Sequence, residues 1–225
     1  MNVFDIIGPV MIGPSSSHTA GAVRLGYAAR KILGGPPRRA VIQLSGSFAQ
    51  TCRGHGTDRA LVAGILGFQP DDGRIRDSLE LARAQGLDYE FQCGTAPAAH
   101  PNTARITLQG EDGADVTLRG ASVGGGNILI DEINGMAVHV TGQSNTLVIL
   151  HHDRPGTIAA VTNFVAYSGV NIGNFRLSRP EKGGTAVMTI EVDGELPEHL
   201  TGNLKILPNI IHVVLIRAVQ EVAPC

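Results

Sequence analysis

Three serines, a histidine and a threonine stand in a row, Ser15-Ser16-Ser17-His18-Thr19, between Gly13-Pro14 and an apolar stretch with helical spacing. Hydroxyls where a helix starts meet unpaired backbone N–H groups and the positive end of the helix dipole, which together suit a carboxylate or a phosphate. One hydroxyl is enough to cap a helix, so the remaining ones are in excess of a plain cap. His18 adds a group able to donate or accept a proton near neutral pH. A second candidate is RGHGTDRA, where His55 lies between two glycines on a turn, with Thr57 and Asp58 as cap-like acceptors. Flanking glycines let a ligand or backbone approach closely, although a surface turn capped by Asp58 explains the same residues. His100 sits in a loop whose next residue, Pro101, favours an extended backbone before it. Taken alone, His100 reads as a bystander. The glycines of SVGGGN lack the helix spacing of a dinucleotide fingerprint and read as a bulge or close-packed backbone within strands.

In the second half, Asp153-Arg154-Pro155-Gly156 lies between a β-branched run and a helical stretch, and Asn171 and Ile172 open the next strand. A small ligand could meet helix N–H groups there. Turn chemistry alone, with Asp as cap, Pro at the first helical position and Gly for clearance, accounts for the same pattern.

These candidates need elements to hold them. From about Thr19 to Leu33 the spacing predicts a helix with Ser15, Ser16 and Ser17 as candidate caps. AVIQLSGS reads as a strand, RALVAGILGF and IRDSLELARAQG as helices, and DYEFQC, ARITLQ, DVTLRGASV, NILIDEI and MAVHVT as strands. A short polar stretch at 142–145 marks a boundary. Beyond it TLVILHH is a strand, and a helix begins at Pro155 and ends at Gly169. Two strands, a helix over ELPEHLTGNLKIL and a last strand IIHVVLIRAV complete a βαββαβ order of ferredoxin-like type. The fold class is therefore α+β, with domains at 1–142 and 146–218.

Apolar residues make up 43% of the 225 and charged ones 17%, which supports buried cores and argues against disorder. A net charge of −2 and the absence of Trp disfavour nucleic acid as a partner. No apolar run is long enough to span a bilayer, and the N-terminus lacks a signal pattern, so no membrane association and a cytoplasmic location are expected. Cys52, Cys93 and Cys225 form neither a disulfide framework nor a CxxC clip.

At FDIIGPVMIGPSSSHTAGAVRLG, GSFAQTCRGHGTDRALVAGILG, HPNT and SVGGGNILIDEING, the chain resembles the β chain of the iron–sulfur-dependent L-serine dehydratases, or L-serine ammonia-lyases. The first 142 residues look like that family's α/β β-chain domain, which is also similar to an allosteric substrate-binding module of some phosphoglycerate dehydrogenases. LVILHHDRPGTIAAVTNFVAYSGVNIGNF is similar to an ACT domain, a βαββαβ module that binds amino acids.

The resemblance implies β-elimination of L-serine to pyruvate and ammonia, and a place in serine catabolism and gluconeogenesis. It implies a [4Fe–4S] cluster acting on the hydroxyl leaving group. Such a cluster needs at least three grouped thiolates, so the resemblance puts it on a partner α chain and assigns no metal ligand here. Cys225 has no role in that picture. Elimination needs a carboxylate clamp and proton-handling groups. Ser15, Ser16, Ser17 and Thr19 would supply the clamp, and His18, His55 and His100 the catalytic groups. Spacing does not single out the base. Asp153, Pro155, Gly156, Asn171 and Ile172 would hold an amino-acid effector, most simply L-serine, with allosteric regulation and homodimerisation through the ACT domain. The alternative is a stand-alone amino-acid-sensing protein without catalysis. A pure sensor has no need of three site histidines.

Overall fold

The computed structural model describes residues 11–13, 15–52, 56–94 and 100–218. It contains two compact units, divided between Ile130 and Asp131.

In the first unit a π-helical turn, Ser16–Gly21, runs into helix α1, Ala22–Leu33. The helix thus starts three residues before the expected Thr19, and its first turn is wider than α-helical. Strand β1 (Pro37–Ser45) leads directly into a short helix, α2 (Gly46–Gln50), where only a strand and a turn were expected. Helix α3 (Thr57–Leu66) follows, then a 3₁₀ turn (Gly73–Asp77) and α4 (Ser78–Ala84) in place of one continuous helix. Strands β2 (Asp88–Cys93), β3 (Asn102–Gly110), β4 (Asp115–Gly124) and β5 (Asn127–Ile133) fall where the alternating sequence puts them. In SVGGGN, Ser122 to Gly124 end β4 and Asn127 opens β5, while Gly125-Gly126 make the turn between them, all three glycines at positive φ.

The strands are neighbours in the order β2-β1-β3-β4-β5. β1 runs parallel to β2 and antiparallel to β3, with Ile42 opposite Phe91 on one side and Ile106 on the other. Helices α1 and α3 come close because Gly26 and Gly64 face each other's backbone. A Cβ at Gly64 would lie 2.0 Å from the Val23 carbonyl oxygen, and one at Gly26 would lie 2.2 Å from that of Leu61. Leu25, Leu61, Ile65, Ile106 and Leu118 are fully buried in this unit. At about 1.5–3 kcal/mol for each large side chain, such burial is what holds α1 at a fixed depth.

β5 turns through Asn134-Gly135, both at positive φ, into β6 (Met136–Val140). The rest of the second unit is β7 (Asn145–His152), α5 (Thr157–Tyr167), β8 (Ile172–Ser178), β9 (Thr185–Val192), α6 (Leu200–Leu204) and β10 (Ile210–Ile216). The sheet order β10-β7-β9-β8, all antiparallel, is the ferredoxin-like βαββαβ arrangement. Leu147, Ile149, Val161, Val165, Met188 and Ile190 form its core. Helix α5 begins at Thr157 and not at Pro155: Gly156, at φ 87°, turns the chain through a left-handed step before the helix can start. Helix α6 has five residues, far fewer than the expected stretch, with Gly202 and Asn203 as weak helix formers inside it.

Candidate functional site

Ser15 caps the π-helical turn. Its Oγ accepts the His18 backbone N–H at 3.2 Å and lies 3.3 Å from Nδ1 of the His18 ring. On the far side of that ring, Nε2 lies 3.2 Å from Ser47 Oγ, in the first turn of α2. The ring stands edge-on to the buried Phe48, centroids 5.3 Å apart. A hydroxyl both donates and accepts, so either tautomer of His18 finds partners at Ser15 and Ser47. π-helical turns inside α-helices are frequent at functional sites. Here the extra width falls on the segment that carries the serines and His18.

Helix α2 is tied in turn to the strand segment that carries His100. Phe48 N–H donates to the Pro101 carbonyl at 3.3 Å, and Gly46 bridges Asn102. A Cβ at Gly46 would sit 2.5 Å from the Pro101 carbonyl oxygen, so this contact needs glycine. His100 Nδ1 accepts the Asn102 N–H at 3.1 Å, and its carbonyl accepts Thr103 Oγ1 at 2.7 Å. With Nδ1 an acceptor, the neutral ring carries its proton on Nε2. His100 is thereby set up as a donor at that nitrogen, whereas His18 can be donor or acceptor.

Asn102 Nδ2 donates to the Ser122 carbonyl at 3.4 Å. Asn102 Oδ1 and Ser122 Oγ are both buried with no hydrogen-bond partner among the described residues. Each such atom costs about 1–3 kcal/mol, and native structures keep few of them. Ser122 packs on the π-helical turn at Gly21, where a Cβ would stand 2.0 Å from Ser122 Oγ. Arg24, on the next turn of α1, donates to the Gly126 carbonyl at 2.9 Å, and burial pulls its guanidinium down to about 10, still cationic at neutral pH.

Of the expected clamp, Ser15 is committed to His18, while Ser16 and Ser17 lie half-buried in the π-helical turn. Thr19 is buried, and a Cβ at Gly13 would meet its Oγ1 at 2.3 Å, so Thr19 packs under Gly13. His18 and His100 are brought into one neighbourhood through α2. His55 and Cys225 lie outside the described residues. Reading the sequence did not single out Ser47, Asn102, Ser122 or Arg24. The signal was indirect: HPNT and SVGGGN flag the segments carrying Asn102 and Ser122.

In the second unit, Asp153 accepts Arg179 Nη1 at 2.5 Å and the Gly183 N–H at 2.9 Å. These two donors, Gly183 foremost, hold its carboxyl below the usual carboxylate range. Asn171 Nδ2 donates to Asp193 Oδ2 at 2.5 Å. Gly156 has open space where a side chain would be, and Ile172 packs against the core. Pro155 precedes the helix on the exposed turn. His151, also passed over in the sequence, is buried at the end of β7. Its Nδ1 donates to the His152 carbonyl at 2.9 Å, and its Nε2 is buried with no hydrogen-bond partner among the described residues.

Cys52 is buried and Cys93 exposed, and among the described residues no group of three His, Cys, Asp or Glu is placed to hold a metal ion. These residues do not fit a [4Fe–4S] cluster. No described helix is long and apolar enough to cross a membrane.

The model of a family described as "Serine dehydratase beta chain" matches residues 2–86, and one described as "ACT domain" matches residues 145–209. The chain is 47% identical over 215 residues to the "Probable L-serine dehydratase, beta chain" of Bacillus subtilis, covering 96% of this chain and 97% of that one. It is 40% identical to the "L-serine dehydratase, beta chain" of Peptoniphilus asaccharolyticus, over 88% of this chain and 90% of that one. It is also 27% identical to a "D-3-phosphoglycerate dehydrogenase" of Methanocaldococcus jannaschii, over 87% of this chain but 37% of that longer protein.

Proposed function

The chain belongs to the family of L-serine dehydratase beta chains, and from that premise we propose how it serves the reaction. It is the β subunit of an L-serine ammonia-lyase that converts L-serine to pyruvate and ammonia, acting in the cytoplasm together with a separate α chain. The observation that carries this reading is the end-to-end match, 96% of this chain against 97% of a named β chain. A stand-alone sensing protein is not favoured, because the relatives matched over nine-tenths or more of their length are named as chains of the enzyme.

The proposed modules run from 1 to 142 and from 146 to 218. In the first, the serine-rich turn Ser15, Ser16, Ser17 and Thr19 lies at the substrate carboxylate, with Ser16 and Ser17 the members not already committed. His18, held between two hydroxyls, takes and returns a proton. His100, with its proton on Nε2, donates one, and His55 completes the histidine set. The iron–sulfur cluster, which supplies Lewis acidity at the leaving hydroxyl when bound, is held by the partner α chain. The misfit of the described cysteines supports that placement.

In the second module L-serine or another small amino acid binds at the turn of Asp153, Pro155, Gly156, Asn171 and Ile172. Two such modules pair in a homodimer, and the effector shifts activity by binding one arrangement more tightly.

Anaerobic reconstitution with iron and sulfide tests where the cluster sits. This chain alone should retain neither in stoichiometric amount, while the complex with the α chain should retain both. Stoichiometric iron and sulfide on this chain by itself would overturn the placement.

A further inference from the structure

Ser47 enters no step described so far, yet its hydroxyl joins two segments 29 residues apart by meeting His18 Nε2 at 3.2 Å. We propose that Ser47 is a positioning residue for His18, fixing the ring so that its proton exchange occurs in one orientation. The proposal deepens the reading above and rests on His18 handling a proton.

Ser47 has no other evident task. It is not the cap of α2: that position belongs to Ser45, whose side chain makes no capping bond. The Ser47 carbonyl accepts Thr51 N–H and Thr51 Oγ1, so the backbone of the turn is satisfied without the hydroxyl. Among the described residues, His18 is the hydrogen-bond partner of the Ser47 Oγ.

The chemistry suits a histidine that changes protonation state. When Nε2 carries a proton, Ser47 Oγ accepts it; when Nε2 is bare, the hydroxyl donates to it. Ser15 does the same at Nδ1 while also holding the His18 backbone N–H. The torsion about Cβ–Cγ of histidine is broad. Ser15 anchors the ring at Nδ1, and Ser47 adds an anchor at Nε2 on the far side. The position of Ser47 is itself set by Phe48 N–H on the Pro101 carbonyl, next to His100. One anchor therefore orients the holder of His18 and the loop of His100.

The test uses the assembled two-chain enzyme and follows pyruvate formation for Ser47→Ala, Ser47→Thr, His18→Ala and the double variant His18→Ala/Ser47→Ala. A misplacement of ~1 Å can cost ~10²-fold, so Ser47→Ala should lower kcat about 10- to 100-fold with KM for L-serine changed less than about twofold. Ser47→Thr, which keeps the hydroxyl, should recover most of the rate. In the His18→Ala background Ser47→Ala should have little further effect, the non-additivity expected of coupled residues. Full turnover in Ser47→Ala, no recovery in Ser47→Thr, or the same loss with and without His18 would overturn the proposal. Full turnover in His18→Ala would instead overturn the role of His18 itself, and the positioning of that ring would lose its purpose.

Discussion

His18 is held by hydroxyls on two different elements. Both ring nitrogens face hydroxyls, so gaining or losing a proton does not strand a donor or an acceptor. His199, at the start of α6, is exposed and precedes a helix of five residues. Substituting each with alanine in the assembled enzyme should separate them. General acid–base groups contribute about 10²–10⁴-fold, whereas a surface substitution is close to neutral. His18→Ala should therefore cut turnover by that order and His199→Ala should leave it near the parent value. Equal, small effects would reduce the serine–histidine turn to a structural role. At this scale the sequence made some bonds readable and hid others. Ser15 capping toward His18 is a local, three-residue relation, visible in the spacing. The bond from Ser47 closes a contact over 29 residues and depends on α2, which no periodicity in GSFAQ announces.

Elements formed where hydrophobic periodicity is strong and drifted where backbone geometry intervenes. The strands of both sheets follow their alternating or β-branched runs, and the order βαββαβ emerges from them directly. Helix starts are less legible. The widened turn at Ser16–Gly21 is permitted by Gly21 packing on Ser122, a contact made across the fold. Gly156, at positive φ, delays α5 by two residues beyond Pro155. The same turn bears the effector proposal. Asp153 and Asn171 are already engaged, with Arg179 and Gly183 on one side and Asp193 on the other. An amino acid bound there must compete with Asp193 for the Asn171 amide. Titration calorimetry of L-serine into the whole chain should give saturable heat at millimolar concentration. Asn171→Ala should weaken binding about tenfold, the loss of roughly one hydrogen bond to a charged group. An absence of heat from the parent chain, or unchanged affinity in Asn171→Ala, would place the effector site elsewhere.

At the scale of the whole molecule, the chain carries proton-handling groups and hydroxyls but, among its described residues, no set of ligands for a metal ion. In the proposed reading such a chain supplies part of an elimination site, and activation of the hydroxyl leaving group falls to the α chain. The match over nearly the full length is to chains named as beta chains of L-serine dehydratase. Composition disfavours nucleic-acid binding, while the proposed role makes turnover depend on both chains. The most direct measurement is therefore complementation. Pyruvate formation from L-serine is followed for this chain alone, for the anaerobically prepared α chain alone, and for mixtures of the two at increasing ratio. The account predicts negligible turnover from either chain alone and a rise with added β chain that saturates near one-to-one. Full activity from the α chain by itself, or any comparable activity from this chain by itself, would contradict it.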